Sequence, residues 1–360
     1  MDAQERVLKA VDHEEPDRVP TFESAFTNNT IMRHYGFEAG GGRGYKNTYQ
    51  FFKKIGIDLV LSYVSILPRK MFKGGYIDEY GRIIKYEYYK DGTMILAYHG
   101  GHFKSFDDYE NWKSPDPNSS IRIQQFLSGR SVQKEMDNEV FSIPSTGALM
   151  EVSWQGFGLE IFSRILGRPK QAKKIFDDRG NFTLELVKIL AETDAKIILL
   201  WDDYGFKNGI FMSPNNYRKY VFPWLKRICD MAHKHDCKIM LHSDGDLMEI
   251  FEDLIKCGID ILNPIEPTTA NPEYDIFKLK EKYGDKLTFS GNLSPMMLTL
   301  GEIYEIESYA KRLIRELAPG GGYIFGSGHS INPAVTIDRF EAMQNIRKKY
   351  GEYPIKKIPD

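Results

Sequence analysis

The strongest constraint on the fold of this chain is a regular alternation of short apolar segments with longer amphipathic segments in its second half. The apolar segments lack the period-2 pattern of a half-exposed strand, which is typical of parallel strands buried on both faces. The segments between them carry helix signals, such as Ser213-Pro214 at a start and Gly258 at an end. Strand and helix therefore alternate repeatedly, which favours either an open doubly wound sheet or a closed barrel.

The first half continues this pattern less regularly and brings the predicted parallel strands to eight. Eight such strands predict an α/β fold, a (β/α)₈ TIM barrel, for the chain of 360 residues. Residues 74–104 differ, because Asp-Glu-Tyr-Gly and Lys-Asp-Gly turn signals separate β-prone segments, and they predict a β-hairpin inserted in the N-terminal half. We expect one domain over 1–360, with the hairpin excursion at 74–104. The predicted strands are 18–24, 57–62, 141–147, 195–201, 237–242, 259–264, 286–291 and 322–327.

Composition limits the possible partners. The 48 basic and 50 acidic residues give a net charge of −2, so the chain offers no basic surface for nucleic acid or an anionic membrane. No apolar segment approaches the ~20 residues that span a bilayer, and the charged N terminus lacks a signal-peptide core. The three cysteines form no CxxC pair, which favours a reducing compartment. We therefore expect a cytoplasmic enzyme with no nucleic-acid or membrane partner.

Polar residues that follow the strands are the candidate metal ligands, since catalytic groups of a (β/α)₈ barrel come from the C-terminal ends of its strands. His242 and Asp244 follow the fifth strand as an H-x-D pair, and residues i and i+2 of extended backbone point to the same side. His329 follows the eighth strand. Two imidazoles and a carboxylate suit zinc with an open position, and also non-haem Fe(II). The alternative is that both histidines are hydrogen-bonding residues without a metal.

Carboxylates at the same strand ends are candidates for proton transfer or substrate orientation. Asp202 and Asp203 end the fourth strand and should face different directions; the alternative for each is a helix cap or an ion pair. Glu151 follows the third strand as a further acid or ligand, or as a solvated carboxylate. Glu23 and Asn292 are weaker candidates of the same kind. No segment predicts a site that binds a cofactor directly.

Four segments of the chain resemble the uroporphyrinogen decarboxylase superfamily, and within it the branch of cobalamin-dependent methyltransferases. They are ERVLKAVDHEEPDRVP, DDYGFKNGIFMSPNNYRKYVFPWLKRICDMAHKHDCKIMLHSDGDL, IDILNPIEP with YGDKLTFSGN, and GGGYIFGSGHSINPAVTIDRFEAM. The resemblance implies a (β/α)₈ barrel with its site in the mouth. The decarboxylases carry an arginine-rich motif soon after the first strand that holds the carboxylates of the substrate. Here TFESAFTNNTIMRHYG contains only Arg33, which argues against decarboxylation of uroporphyrinogen.

The methyltransferase branch also implies metal ligands. Its thiol-methylating members bind zinc through H-x-C after the fifth strand and through a Cys in a G-C-x-I segment after the eighth. His242 matches the His, whereas Asp244 and His329 stand at the two Cys positions. Without thiolates, zinc is a stronger Lewis acid and suits the oxygen of a methyl ether.

The resemblance therefore implies an O-demethylase type of methyltransferase. It would move a methyl group from a small methoxylated compound to the corrinoid of a partner protein, because the chain lacks a D-x-H-x-x-G cobalamin motif. Two other interpretations stay open. One is a metal-free enzyme that resembles uroporphyrinogen decarboxylase, and the other is a non-catalytic barrel that binds a small molecule.

Overall fold

The structure is a computed structural model that describes residues 1–38 and 44–359. Its strands are β1 (Leu59–Tyr63), β2 (Pro68–Phe72), β3 (Gly75–Asp78), β4 (Arg82–Tyr88), β5 (Met94–Gly101), β6 (Phe141–Gly147), β7 (Ile197–Trp201), β8 (Gly205–Phe206), β9 (Gly209–Ile210), β10 (Lys238–His242), β11 (Ile261–Asn263), β12 (Thr288–Ser290) and β13 (Tyr323–Ile324). Its α-helices are α1 (Ala3–Val11), α2 (Asn29–His34), α3 (Gly44–Ile55), α4 (Phe106–Glu110), α5 (Ile121–Glu135), α6 (Glu151–Gln155), α7 (Leu159–Leu166), α8 (Pro169–Glu192), α9 (Pro214–Asn216), α10 (Phe222–His233), α11 (Phe251–Cys257), α12 (Ile276–Tyr283), α13 (Pro295–Leu300), α14 (Ile303–Leu317) and α15 (Ile337–Tyr350). A π-helical turn (Tyr217–Val221) precedes α10, and a 3₁₀ turn (Met248–Ile250) precedes α11.

In the described residues, seven parallel strands form one sheet in the order β1-β6-β7-β10-β11-β12-β13. The predicted first strand, 18–24, connects the two edges of this sheet by isolated bridges. Thr21 pairs in parallel with Phe325 after β13, and Phe22 pairs in parallel with Leu59 of β1. The predicted (β/α)₈ barrel is therefore confirmed, with its first strand reduced to these bridges.

Side chains of the strands alternate between the barrel interior and the surrounding helices, as the pleat requires. In β7, Ile197 and Leu199 belong to the interior cluster, whereas Ile198 and Leu200 belong to the larger cluster beneath the helices. Both sets are buried, which explains why the sequence shows apolar segments rather than alternation. Helix α1 contributes Val7 to the interior cluster and covers the N-terminal end of the barrel.

Asp58 holds the seam where the barrel closes. Its carboxylate accepts hydrogen bonds from Arg6 of α1 at 2.8 Å, from Arg18 at 2.7 and 2.9 Å, and from the backbone and hydroxyl of Thr21 at 3.0 Å each. Asp58 is buried. Since it directly precedes β1, this one carboxylate fixes both the first-strand segment and the N-terminal helix against the next strand.

The region for which a hairpin is expected contains a four-stranded antiparallel sheet, in the order β2-β3-β4-β5. The pairing begins at Pro68, earlier than the predicted start at 74, because the exposed strand β2 gives little apolar signal. We propose that the chain is a single barrel domain with this sheet, called the roof sheet below, as its excursion. Residues 39–43 and 360 of that domain range lie outside the described residues.

Helix boundaries follow the capping residues of the sequence. Ser213 caps a helical turn that starts at Pro214, and Gly258 ends α11 in the left-handed conformation with φ of 94°. The helical segment that starts after Ser294 is divided into α13 and α14 at Gly301. The division occurs because Glu302 and Glu305 form a capping box that starts a new helix.

Two further observations concern membrane-spanning helices and the cysteines. Within residues 1–38 and 44–359, no helix combines the length and hydrophobicity that crossing a membrane would require. The three cysteines are free thiols, and all are buried.

A buried ion pair joins the roof sheet to the barrel, and its loss should destabilise the protein. Glu79, directly after β3, accepts two hydrogen bonds of 2.6 Å from Arg122 of α5, and both side chains are almost fully buried. We predict that Glu79→Gln lowers the free energy of unfolding by about 3–5 kcal/mol, because it leaves the charge of Arg122 buried without a carboxylate partner. Urea unfolding would measure this loss.

The control is Glu160→Gln, which removes the exposed pair between Glu160 and Arg164 at 2.6 Å. That change should stay within about 0.5 kcal/mol of wild type. Equal effects for the two variants would contradict the role given to the buried pair.

Candidate functional site

A cavity of about 550 Å³ lies at the C-terminal ends of the barrel strands, beneath the roof sheet. Strand residues form its floor and walls, and the roof sheet supplies further side chains. Most of the lining is apolar, and Arg82 is the only Lys or Arg side chain among the described lining residues. Residues that line the cavity include Leu61, Tyr63, Ser145, Leu199, Trp201, His242, His329 and Glu151 from the barrel, and Tyr76, Arg82, Ile84 and Leu96 from the roof sheet.

Three potential metal ligands converge beside this cavity. One ligand atom each from Asp203, His242 and Asp244 lies within 4.8 Å of the others. His242 is the last residue of β10, and Asp203 and Asp244 lie two residues after the ends of β7 and β10. These strands are neighbours in the sheet and pair His242 with Trp201 in register. Parallel neighbours bring their C-terminal ends to one edge, so the adjacency of two strands assembles the cluster.

His242 is held in one orientation by Asn263 of β11. Its Nδ1 lies 2.7 Å from Oδ1 of Asn263, whose Nδ2 donates to the carbonyl and hydroxyl oxygens of Ser290 at 3.2 Å each. Because the Asn263 amide nitrogen is used in this way, its oxygen accepts and Nδ1 of His242 carries the proton. Nε2 of His242 is then available to bind an ion, the arrangement typical of metal-ligating histidines.

Asp244 has one oxygen without a partner. Its Oδ1 is buried and makes no hydrogen bond to any described residue. Its backbone N–H donates to Oδ1 of Asp203 at 2.9 Å, which fixes the two carboxylates relative to each other. Burial raises the pKa of Asp244; the charge of His242 opposes this shift, and the negative charge of Asp203 adds to it.

His329 lies at the edge of this cluster. Its Nε2 is 3.4 Å from Oδ2 of Asp244, and its ring centroid is 6.4 Å from that of His242. The side chain is 53% exposed, with Nδ1 at 2.9 Å from the Ser330 hydroxyl. Among the described residues, the tightest set of donors therefore contains Asp203, whereas His329 approaches it as an ion-pair partner of Asp244.

Asp202 and Asp203 accept hydrogen bonds from different parts of the chain. The buried Asp202 carboxylate accepts from the backbone N–H groups of Leu149, Met150 and Glu151 at 2.7–2.9 Å, at the start of α6. Burial raises its pKa to about 7, and these backbone hydrogen bonds oppose the shift. Asp202 thus anchors the segment that carries Glu151, while Asp203 faces the ligand cluster.

The carboxyl group of Glu151 faces the cavity, where a neighbouring negative charge and a neighbouring positive charge act on it in opposite directions. Burial and the charge of Asp203 raise its pKa to about 8, against the opposing charge of Arg82. Oε1 accepts from Gln155 at 2.7 Å, and Gln155 in turn accepts from Arg82 at 3.2 Å. A carboxyl group with this pKa holds its proton at neutral pH, which is the state required of a general acid.

The two weaker candidates hold backbone in place. Buried Glu23 accepts from the backbone N–H and hydroxyl of Ser327, and burial raises its pKa to about 8. Buried Asn292 donates to the Ile265 carbonyl at 2.6 Å and accepts from the Tyr309 hydroxyl at 3.0 Å. Neither side chain is among the residues that line the cavity.

Sequence reasoning missed Asn263 and Arg82. Asn263 is the penultimate residue of the predicted strand IDILNP (259–264), so its position near a strand end was a usable signal. Arg82 lies in the roof sheet, and its guanidinium lies 5.1 Å from the Trp201 ring centroid. No pattern in the sequence indicates that this sheet covers the barrel mouth.

Comparison with known families assigns the chain. The model of the family described as uroporphyrinogen decarboxylase (URO-D) matches residues 88–350. The chain belongs to the uroporphyrinogen decarboxylase family. It is an enzyme of that superfamily, and the resemblance read from the four sequence segments is confirmed.

Curated relatives of this family member are named uroporphyrinogen decarboxylase. The protein of Thioalkalivibrio sulfidiphilus is 22% identical over 257 residues, which is 66% of this chain and 67% of the relative. That of Schizosaccharomyces pombe is 24% identical over 251 residues, 65% of this chain and 67% of the relative.

Solved structures share the fold. A methyltransferase from Methanosarcina mazei superposes with a TM-score of 0.69 at 19% identity, covering 97% of this chain and 99% of its own. The endo-β-1,4-mannanase from Thermotoga petrophila follows with a TM-score of 0.50 at 9% identity, covering 95% of this chain and 78% of its own. At these identities the likeness establishes the barrel fold.

The geometry of the cluster makes metal binding testable. We predict that Asn263→Ala weakens zinc affinity about 10- to 100-fold, because His242 loses the group that fixes its tautomer and ring orientation. His242→Ala and Asp244→Ala should abolish stoichiometric binding, as measured by metal analysis after dialysis against zinc.

His233→Ala serves as the control, because His233 pairs with Asp260 at 2.9 Å near the end of α10 and lies outside the cluster. It should bind zinc like wild type. If neither the wild type nor any variant holds metal, the site is not a metal centre.

Proposed function

We propose that this enzyme is a methyltransferase of the O-demethylase type, which moves a methyl group from a small methoxylated compound to the corrinoid of a partner protein. The observation that carries the proposal is the set of His242, Asp203 and Asp244 at the barrel mouth, with His329 beside it. In the reaction the methyl–oxygen bond breaks and a methyl–cobalt bond forms. The substrate oxygen keeps the electron pair and takes up a proton, while Co(I) becomes Co(III).

The residues present fit a zinc ion. The buried Oδ1 of Asp244 has no hydrogen-bond partner in the described residues, and a cation would supply one. His242 offers Nε2, and Asp203 or His329 completes a set of nitrogen and oxygen ligands. Zinc held there would act as a Lewis acid toward the ether oxygen of the substrate.

Glu151 is proposed as the acid that supplies the proton. Its pKa of about 8 keeps it protonated at neutral pH, and Gln155 and Arg82 fix its orientation. The departing oxygen would take this proton as the methyl group leaves, so that an alcohol or phenol is released instead of an anion.

The cavity is suited to a flat and largely apolar compound. The Trp201 ring and aliphatic side chains such as Leu61 and Leu199 provide contact surface. The buried Ser145 hydroxyl, which has no partner among the described residues, would hydrogen-bond a polar substituent of the substrate. We propose Ser145 as a positioning residue on this basis.

Uroporphyrinogen decarboxylation is the second candidate, because the curated relatives carry that name. A porphyrinogen with eight carboxylates needs several cations, and Arg82 is the only Lys or Arg side chain in the described lining. That cation is already paired with Asp78 at 2.6 Å. Arg33, the only arginine in residues 21–36, instead donates to the carbonyl of Asp91.

The decisive experiment supplies purified protein with a Co(I) corrinoid protein and a panel of methoxyaromatic compounds. We expect formation of methyl-Co(III) with release of the corresponding phenol, and loss of this activity after chelation. CO₂ release from uroporphyrinogen that survives chelation would instead favour the metal-free decarboxylase.

The alkaline limb of the pH–rate profile should report Glu151. The proton donor is active below its pKa, so the rate should fall as pH rises through about 8. Glu151→Gln should be slow at every pH and lack this limb.

Glu23→Gln is the matched control, since Glu23 has a similarly raised pKa but lies outside the cavity lining. It should keep the alkaline limb. A limb that disappears with Glu23→Gln and persists in Glu151→Gln would exclude Glu151 as the donor.

A further inference from the structure

A second cavity, of about 290 Å³, lies between helix α8 and residues 109–117, the segment that follows the roof sheet. None of its described lining residues lines the barrel mouth. The proposed methyl transfer uses no residue of this second cavity.

Arg179 of α8 lies in the wall of this cavity as a buried cation. The residue is 3% exposed, and its guanidinium makes no hydrogen bond or ion pair with any described residue. Its neighbours are aromatic rings, with centroids 4.8 Å away for Tyr80 and 5.5 Å away for Tyr109. A buried guanidinium without an acceptor is costly, so this group requires a partner that the described residues do not provide.

The carboxylates nearby are already matched with other cations. Asp78 pairs with Arg82 at 2.6 Å, and Glu79 pairs with Arg122 through both oxygens. Both acids are fully buried.

The same holds for the acids of the cavity itself. Asp178 accepts from the Tyr109 hydroxyl at 2.7 Å and from Lys174 at 2.9 Å. Glu110 lies on the exposed rim of the cavity. Arg179 is therefore the surplus positive charge of this buried group.

We propose that this cavity binds a small oxyanion, a carboxylate or phosphate group, through the guanidinium of Arg179. The planar fork of arginine matches either group with two parallel N–H donors. Trp112 and Phe182 form apolar walls for the rest of the ligand, and Ser114 and Asn181 add polar groups at the rim.

The test uses inorganic phosphate and benzoate as probes, titrated separately against the full-length protein. Binding is followed by fluorescence of Trp112, which lines the cavity, and Trp112→Phe identifies the signal. We expect saturable binding of at least one probe at millimolar concentration. Binding of phosphate alone or benzoate alone assigns the preferred anion.

Variants at Arg179 separate this site from adventitious binding. Arg179→Met should lower the affinity for the probe about 10- to 100-fold, because a charge-assisted hydrogen-bonded pair is lost. It should leave Tm in the absence of anion unchanged or raised. Arg179→Lys should retain part of the affinity, because it keeps the charge and loses the fork. Lys173→Met, at an exposed position of the same helix, should bind like wild type.

Two results would overturn the proposal. One is unchanged affinity in Arg179→Met, which would place the anion elsewhere. The other is the absence of any saturable response to both probes in the wild-type protein.

Discussion

The barrel depends on the carboxylate of Asp58. In the described residues, the first-strand segment joins the two edges of the seven-stranded sheet, with Thr21 and Phe22 paired by isolated bridges rather than by a continuous strand. Asp58 adds hydrogen bonds to Thr21 and ion pairs to Arg6 and Arg18, so the N-terminal helix, the short first strand and β1 become one unit. Because the seam fixes the ring, it also fixes how the opposite ends of the strands converge.

At these converging strand ends, the adjacent acids Asp202 and Asp203 have different roles. The two carboxylates that follow β7 face different sides, and Asp202 accepts hydrogen bonds from three backbone N–H groups at the start of α6. Asp203 is thereby left to face Asp244 across the β7–β10 pair. The same carboxylate that anchors α6 places Glu151 at the cavity, so the structural role of Asp202 and the proposed proton transfer are physically connected.

The parts of the fold that the sequence predicts are those set by local chemistry. Apolar segments buried on both faces identify the strands, and Ser213 or Gly258 marks a helix end because capping depends on a few adjacent residues. The grouping of His242 with Asp244 is also local, since the two lie in one loop. Asn263 and Arg82 could not be assigned in this way, because each reaches the site from another strand.

The roof sheet shows why the site remained incomplete at the level of sequence. Its strands are half-exposed and pair among themselves, so their hydrophobic pattern does not indicate that they cover the barrel mouth. What docks them is the buried pair of Glu79 and Arg122, and neighbouring Arg82 thereby reaches the cavity. Three arginines, Arg82, Arg122 and Arg179, lie around the two carboxylates of Asp78 and Glu79, and Arg179 is the one that pairs with neither. Docking of the roof sheet therefore completes the cavity at the barrel mouth and also leaves the charge of Arg179 to be paired by a ligand in the second cavity.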